Sequence, residues 1–164
     1  MLIQLSDFAD YEILPPGAET VKRLDPCIRE AENIDMIPLI GQDLLTYLRV
    51  NVGASPAEPL ADALLVWLKP VLVYYSFARF IRKQQIAVTQ HGTVQKKTDV
   101  SEPASESSVK AAITRAESDA LAYWFKAKEF LEDNDADYPD WQSFCSKSSV
   151  TINSIRITHV RKKW

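Results

Sequence analysis

Apolar positions recur three and four residues apart along most of this chain, the spacing that places side chains on one face of an α-helix. The pattern is strongest in two stretches. Over residues 60–87, Leu64, Trp67, Leu68, Val71, Tyr74, Tyr75, Ala78 and Ile81 make one stripe, and Leu72, Phe77 and Phe80 add a second side. A helix apolar on most faces belongs at the centre of a bundle. Over residues 104–133 the stripe is Val109, Ala112, Ile113, Ala116, Ala120, Tyr123, Trp124, Ala127, Phe130 and Leu131. Its alanines predict close antiparallel packing on the first helix. Ser101 or Ser105 is the expected N-cap, and Arg115–Asp119 and Lys128–Glu132 are expected pairs one turn apart.

Weaker patterns surround these two. Ser6 can cap a short helix over 7–12, and Pro15-Pro16-Gly17 then breaks the chain. A helix over 18–34 is spaced by Val21, Leu24, Ile28, Ala31 and Ile34, but Pro26 predicts an interruption, with Asp25 capping a fresh helix that has Pro26 in its first turn. Residues 37–41 read as a tight apolar junction ending on Gly41, 42–51 as a short helix, and 53–59 as a loop. Pro70 predicts a kink in the 60–87 helix, or two helices meeting at Lys69. Arg79 lies on the apolar face and is either paired with a carboxylate or snorkelling to solvent. Tyr138 and Trp141 are expected to staple the chain back onto the bundle. The fold class read from these patterns is all-α, a bundle of about four helices.

Two segments break the helical pattern. Residues 89–103 (TQHGTVQKKTDVSEP) are polar and read as an irregular connection between the two strongest helices. Loops of about 12–15 residues are uncommon in compact domains and are usually functional or disordered. Residues 150–160 (VTINSIRITHV) are β-branched and alternating, so they read as an extended strand that needs a partner.

Composition adds one asymmetry. The chain of 164 residues fits one domain and has a net charge of −3, but residues 1–140 hold 14 Lys/Arg and all 22 Asp/Glu, while 141–164 hold five Lys/Arg and no acid. A basic tail on an acidic body marks either an interaction arm or a solvated terminus lying on its own body. The organisation read from this is a helical domain over 1–141 and a basic extended arm over 142–164. Asp62, Lys69, Arg79 and Arg82 interrupt the longest apolar run, so it reads as a core helix and not as a membrane span of about 20 apolar residues.

Catalytic signatures do not emerge. There is no GxxxxGK[ST], GxSxG or HExxH motif, and Cys27 and Cys145 form no CxxC. His91 and His159 stand alone on the two non-helical segments. The acids Glu129, Glu132, Asp133, Asp135, Asp137 and Asp140 lack the spacing of a calcium loop. Neither cofactor nor metal is expected, and the chain reads as a non-enzyme. The tail residues Arg156, Arg161, Lys162, Lys163 and Trp164 can contact phosphate and stack on bases. That leaves a small DNA-binding accessory protein, acting through its tail, as the alternative reading.

Several pieces carry a resemblance. They are LDPCIREAENIDMIPLIG, LKPVLVYYSFARFI, the loop residues Gly92, Val94, Lys97 and Ser101-Glu102-Pro103, and Tyr138-Pro139 with Trp141. Over residues 24–141 the chain resembles an uncharacterised family of proteins from phages and prophages of Bacteroidetes, itself similar to head–tail connector (adaptor) proteins of long-tailed phages. The resemblance implies an all-α virion structural subunit, a connector or head-completion protein. It would form a homo-oligomeric ring, and meet the portal protein and the neck and tail-completion proteins. DNA would pass through its channel without specific binding, and no membrane is involved. Such a subunit works in the host cytoplasm during assembly and then at the head–tail junction of the virion. The contact elements expected are His91, Gly92, Val94, Lys96, Lys97, Ser101 and Glu102 on the loop. On the arm they are Ile155, Arg156, Ile157, Arg161, Lys162, Lys163 and Trp164.

Overall fold

The computed structural model describes residues 1–11, 18–56, 58–84, 86–89, 92–95 and 105–141. Its elements are a 3₁₀ turn Leu5–Asp10, α1 (Ala18–Glu30), a π-helical segment Ala31–Met36, α2 (Ile37–Ile40), α3 (Gln42–Asn51), α4 (Pro59–Gln84), β1 (Ile86–Thr89), β2 (Gly92–Gln95), α5 (Glu106–Asp133) and a 3₁₀ turn Asp135–Asp137. This is the expected all-α bundle, with α1, α3, α4 and α5 as its long members. A two-stranded ribbon joins α4 to α5.

The centre is the α4–α5 pair. Trp67 stacks on Phe130 and Tyr74 on Tyr123, each with ring centroids 5.5 Å apart, and Arg82 pairs with Glu117 at 2.8 Å. As the numbers rise along α4 their partners fall along α5, so the helices run antiparallel. Ala116, Ala120 and Ala127 of α5 are buried. With so little side chain between them, the two backbones can approach closely. Ser105 caps α5, its hydroxyl accepting from the Ser108 N–H at 3.2 Å. Tyr11 closes the seam, edge-on to both Tyr74 and Tyr123.

Both prolines that were expected to break helices sit inside them. α1 continues through Pro26, and α4 continues through Pro70. Proline removes one hydrogen bond to the carbonyl four residues earlier. For Pro26 that carbonyl belongs to Lys22, and both residues are exposed, so water can satisfy it. For Pro70 it belongs to Val66, which is also exposed. Tertiary packing on both sides then outweighs a local cost of about 3 kcal/mol. The first helical turn is also corrected. It is the 3₁₀ turn Leu5–Asp10, in which the Gln4 N–H donates to Asp7 Oδ2 at 2.7 Å, and Ser6 is not its cap. Asp7 Oδ1 also accepts from Lys69 Nζ at 2.8 Å, tying this turn to α4.

The π-helical segment resets the helical phase. Leu24, Cys27 and Ile28 of α1 and Ala31 at the start of the π-segment are buried, and a regular helix would next bury residue 35. A π-turn absorbs one extra residue. Glu32, Met36 and Ile40 go inside instead, and Asp35 is left at the edge facing α4. There Asp35 takes a two-pronged bond from Arg79, Nε to Oδ2 at 2.6 Å and Nη2 to Oδ1 at 2.8 Å. Glu30 approaches Arg79 at 3.5 Å and also pairs with Lys83. Arg79 is therefore the paired arginine, not the snorkelling one. Glu32, only 2% exposed, accepts the Leu2 N–H at 2.6 Å and Arg49 Nη2 at 3.0 Å. Gly41, at φ 83° and ψ 160°, links α2 to α3 in a conformation that is essentially restricted to glycine.

The inter-helix connection also differs from expectation. α4 stops at Gln84, and Ile86–Thr89 pairs antiparallel with Gly92–Gln95, Ile86 opposite Gln95 and Thr89 opposite Gly92. The end of the stretch read as helix (86–87) and the first part of the segment read as irregular thus form a β-ribbon. Two short β-branched runs, IAVT and GTVQ, lie two residues apart, which is hairpin spacing.

Two stability outcomes follow. Gly41→Ala should lower unfolding free energy by about 1–3 kcal/mol in denaturant titration, because alanine strains at that backbone. In a double-mutant cycle, Arg79→Ala and Asp35→Ala should each cost about 2 kcal/mol, with a coupling of about 1 kcal/mol or more. Coupling near zero would mean that the pair does not hold α4 to the π-segment.

Candidate assembly surfaces

Three features of the described surface are candidate contact elements. The first is on α5. Leu121 and Phe125 are 43% and 66% exposed, and residues four apart lie side by side on a helix. They lie on the flank turned away from the buried Ala116–Ala120–Ala127 stripe, with Thr114, Ser118 and Ala122 exposed nearby. Adjacent exposed large apolar side chains mark an interaction site more often than single scattered ones do. Val66 of α4 is 67% exposed as well.

The second is an open cleft of about 250 Å³ at the far end of the α4–α5 pair. Tyr47 of α3, Leu60 of α4 and Tyr138 line it, together with the acids Glu58, Asp137 and Asp140. Tyr138 is buried and fixed: its hydroxyl donates to the Leu60 carbonyl at 2.9 Å, and its ring packs on Phe130. Desolvation, with lesser contributions from Tyr47 and Asp137, pushes the Tyr138 phenol up to about 12. The Tyr47 phenol is raised by burial, then by the charge and hydrogen bond of Glu58 and the charge of Asp140. None of the three acids has an ion-pair partner among the described residues. Trp141 is buried edge-on against Trp124, ring centroids 5.9 Å apart, so Tyr138 and Trp141 do staple the chain back onto the bundle.

The third is the β-ribbon, which places Gly92 and Val94 on β2. His91, Lys96, Lys97, Ser101 and Glu102 of the expected contact loop lie outside the described residues. So do Ile155, Arg156, Ile157, Arg161, Lys162, Lys163 and Trp164 of the arm.

The acids of the 129–140 run are not gathered at one point. Glu132 pairs with Lys128 at 3.3 Å, whereas Asp137 and Asp140 turn into the cleft. Among the described residues no three His, Cys, Asp or Glu side chains are placed to hold a metal ion. α4 is long and apolar enough to cross a membrane, but half of its most apolar window is buried within the bundle, as in a core helix. Sequence reading missed Leu121 and Phe125, and it missed the joining of Glu58 to Asp137 and Asp140. The first was legible as an i,i+4 apolar pair off the main stripe. The second carried no local signal, because 78 positions separate Leu60 from Tyr138.

An all-α bundle defines the fold class, and comparison with known families gives the membership. The chain belongs to a family of unknown function (DUF6712), whose model matches residues 32–150. No curated protein and no solved structure matches it significantly.

The Tyr138 environment has a pH signature. The folded state keeps a phenolic proton that the unfolded chain releases near pH 10, so this contribution to stability is fully present below about 10 and is lost as pH climbs through about 12. Denaturant midpoints measured across that window should fall, and Tyr138→Phe should fall less steeply.

Proposed function

We propose that this chain is a virion structural protein of a phage or prophage, a head–tail connector (adaptor or head-completion) subunit that forms a ring at the portal vertex. Its partners are further copies of itself, the portal protein, and neck and tail-completion proteins, with DNA passing through an ungripping channel. The resemblance over residues 24–141 supports this reading, as does an all-α body whose residues 1–140 carry a net charge of −8. An acidic wall repels DNA phosphates and lets the duplex slide.

The observation that carries the reading is the exposed Leu121–Phe125 pair on α5. A closed ring of identical subunits needs two different, complementary surfaces on each copy. The apolar α5 flank and the acidic cleft give each copy two distinct surfaces, built from different elements.

Native mass spectrometry of the protein with the portal encoded in the same genome tests this, and a ring-sized assembly is expected. A strict monomer that ignores the portal at high concentration sinks the proposal. Phe125→Ser should abolish assembly while changing unfolding free energy by less than about 0.5 kcal/mol, the usual range for an exposed position.

A further inference from the structure

We infer that the cleft lined by Tyr47, Leu60, Tyr138, Glu58, Asp137 and Asp140 receives the basic, aromatic end of a neighbouring copy, residues 161–164. This rests on the ring reading above and names the contact that closes each joint.

Size comes first. Small-molecule sites usually enclose roughly 300–1,000 Å³. A cleft of about 250 Å³ suits one or two side chains of a peptide better than a cofactor. Its chemistry narrows the choice further. The Tyr47 ring and Leu60 offer an apolar surface over the buried Tyr138, and three carboxylates without ion-pair partners among the described residues offer negative charge. The matching ligand is a segment that carries several cations beside one large aromatic. Arg161, Lys162, Lys163 and Trp164 have that composition, and no acid occurs after Asp140. An indole can lie on Tyr47 and Leu60 while the cations meet the acids.

The choice of a neighbour over the chain's own end follows from reach. The described chain ends at Trp141, one residue past the cleft acid Asp140, and 23 residues follow. The 150–160 stretch is patterned as an extended strand, and in that form it carries the chain roughly 35 Å. A strand of that length would set residues 161–164 well away from Asp140 of the same chain, within reach of a second copy. Charge also favours this order of events, because an acidic body and a basic end attract at a distance before they dock.

The test uses the full-length chain. A receptor carrying Arg161→Glu, Lys162→Glu and Lys163→Glu has its own end disabled. A fluorescently labelled peptide of residues 150–164 should bind it, less tightly as salt rises. Adding Asp137→Lys and Asp140→Lys to the receptor should weaken binding at least tenfold. Should that variant fail to fold by circular dichroism, Asp137→Asn with Asp140→Asn removes the same charge nearly isosterically and should also weaken binding. In parallel, native mass spectrometry should show loss of self-association for the otherwise wild-type chain carrying the cleft reversals. Equal peptide binding to intact and reversed clefts, or no binding at all, overturns the inference. Peptide binding without any association between chains assigns the cleft to the chain's own end and overturns the exchange between copies. A cleft-reversed chain that still assembles with the portal rejects the docking but leaves the connector reading intact. Failure of every full-length form to meet the portal, with cleft-dependent pairing of chains retained, rejects the connector reading and leaves the docking intact.

Discussion

The buried carboxylate of Glu32 is the constraint around which the rest of the bundle is arranged. A charge taken out of water costs several kcal/mol unless it is paired and hydrogen-bonded. Here Arg49 of α3 supplies the countercharge and the Leu2 N–H supplies a second donor. The N-terminal residues, the π-segment and α3 must therefore meet at one point, or the carboxylate is stranded. Leu2, Ile3 and Phe8 are buried as a consequence, because the chain that brings the Leu2 N–H inward brings its apolar neighbours too. Three residues further on, Asp35 grips Arg79 and fixes α4 to the same segment. One short π-helical stretch thus holds three elements through two acids.

The α4–α5 pair is built by a different principle. Alanines on α5 bring two long helices close, and stacked aromatics fill the seam where the alanines leave space. A close pair of this kind has little surface to spare on its inner sides. The apolar side chains that do not fit inside, Leu121 and Phe125, are turned outward. At the end of the same pair, the returning turn brings Tyr138 under Leu60 and sets Asp137 and Asp140 beside Glu58. Both proposed contact surfaces are by-products of how these two helices close.

Much of the fold was legible in the chain. The periodic stripes marked the long helices, Ser105 was one of two caps expected for α5, and the paired state of Arg79 was one of two readings that its apolar surroundings allowed. Failures clustered where local rules compete with packing. Pro26 and Pro70 argue for breaks over any short window, yet each frees a carbonyl on an exposed side and so costs less than the packing gains. The IAVT and GTVQ runs were hidden by the polar composition of the segment around them. The site was less legible than the fold: Leu121 and Phe125 carried a periodic signal, but the cleft joins residues from three distant stretches.

Sequence alone determined what each helix must bury, since period and apolar content are local properties that survive without a partner. It also determined the charge asymmetry between an acidic body and a basic end. Tertiary structure alone decided which residue of the 31–36 segment faces inward, because one extra residue in a π-turn rotates every later side chain and no local pattern specifies it. It alone decided that Glu58 shares one cleft with Asp137 and Asp140, far along the chain from it, and with two tyrosines. Such proximity comes from the way α5 folds back along α4, and only packing sets that geometry.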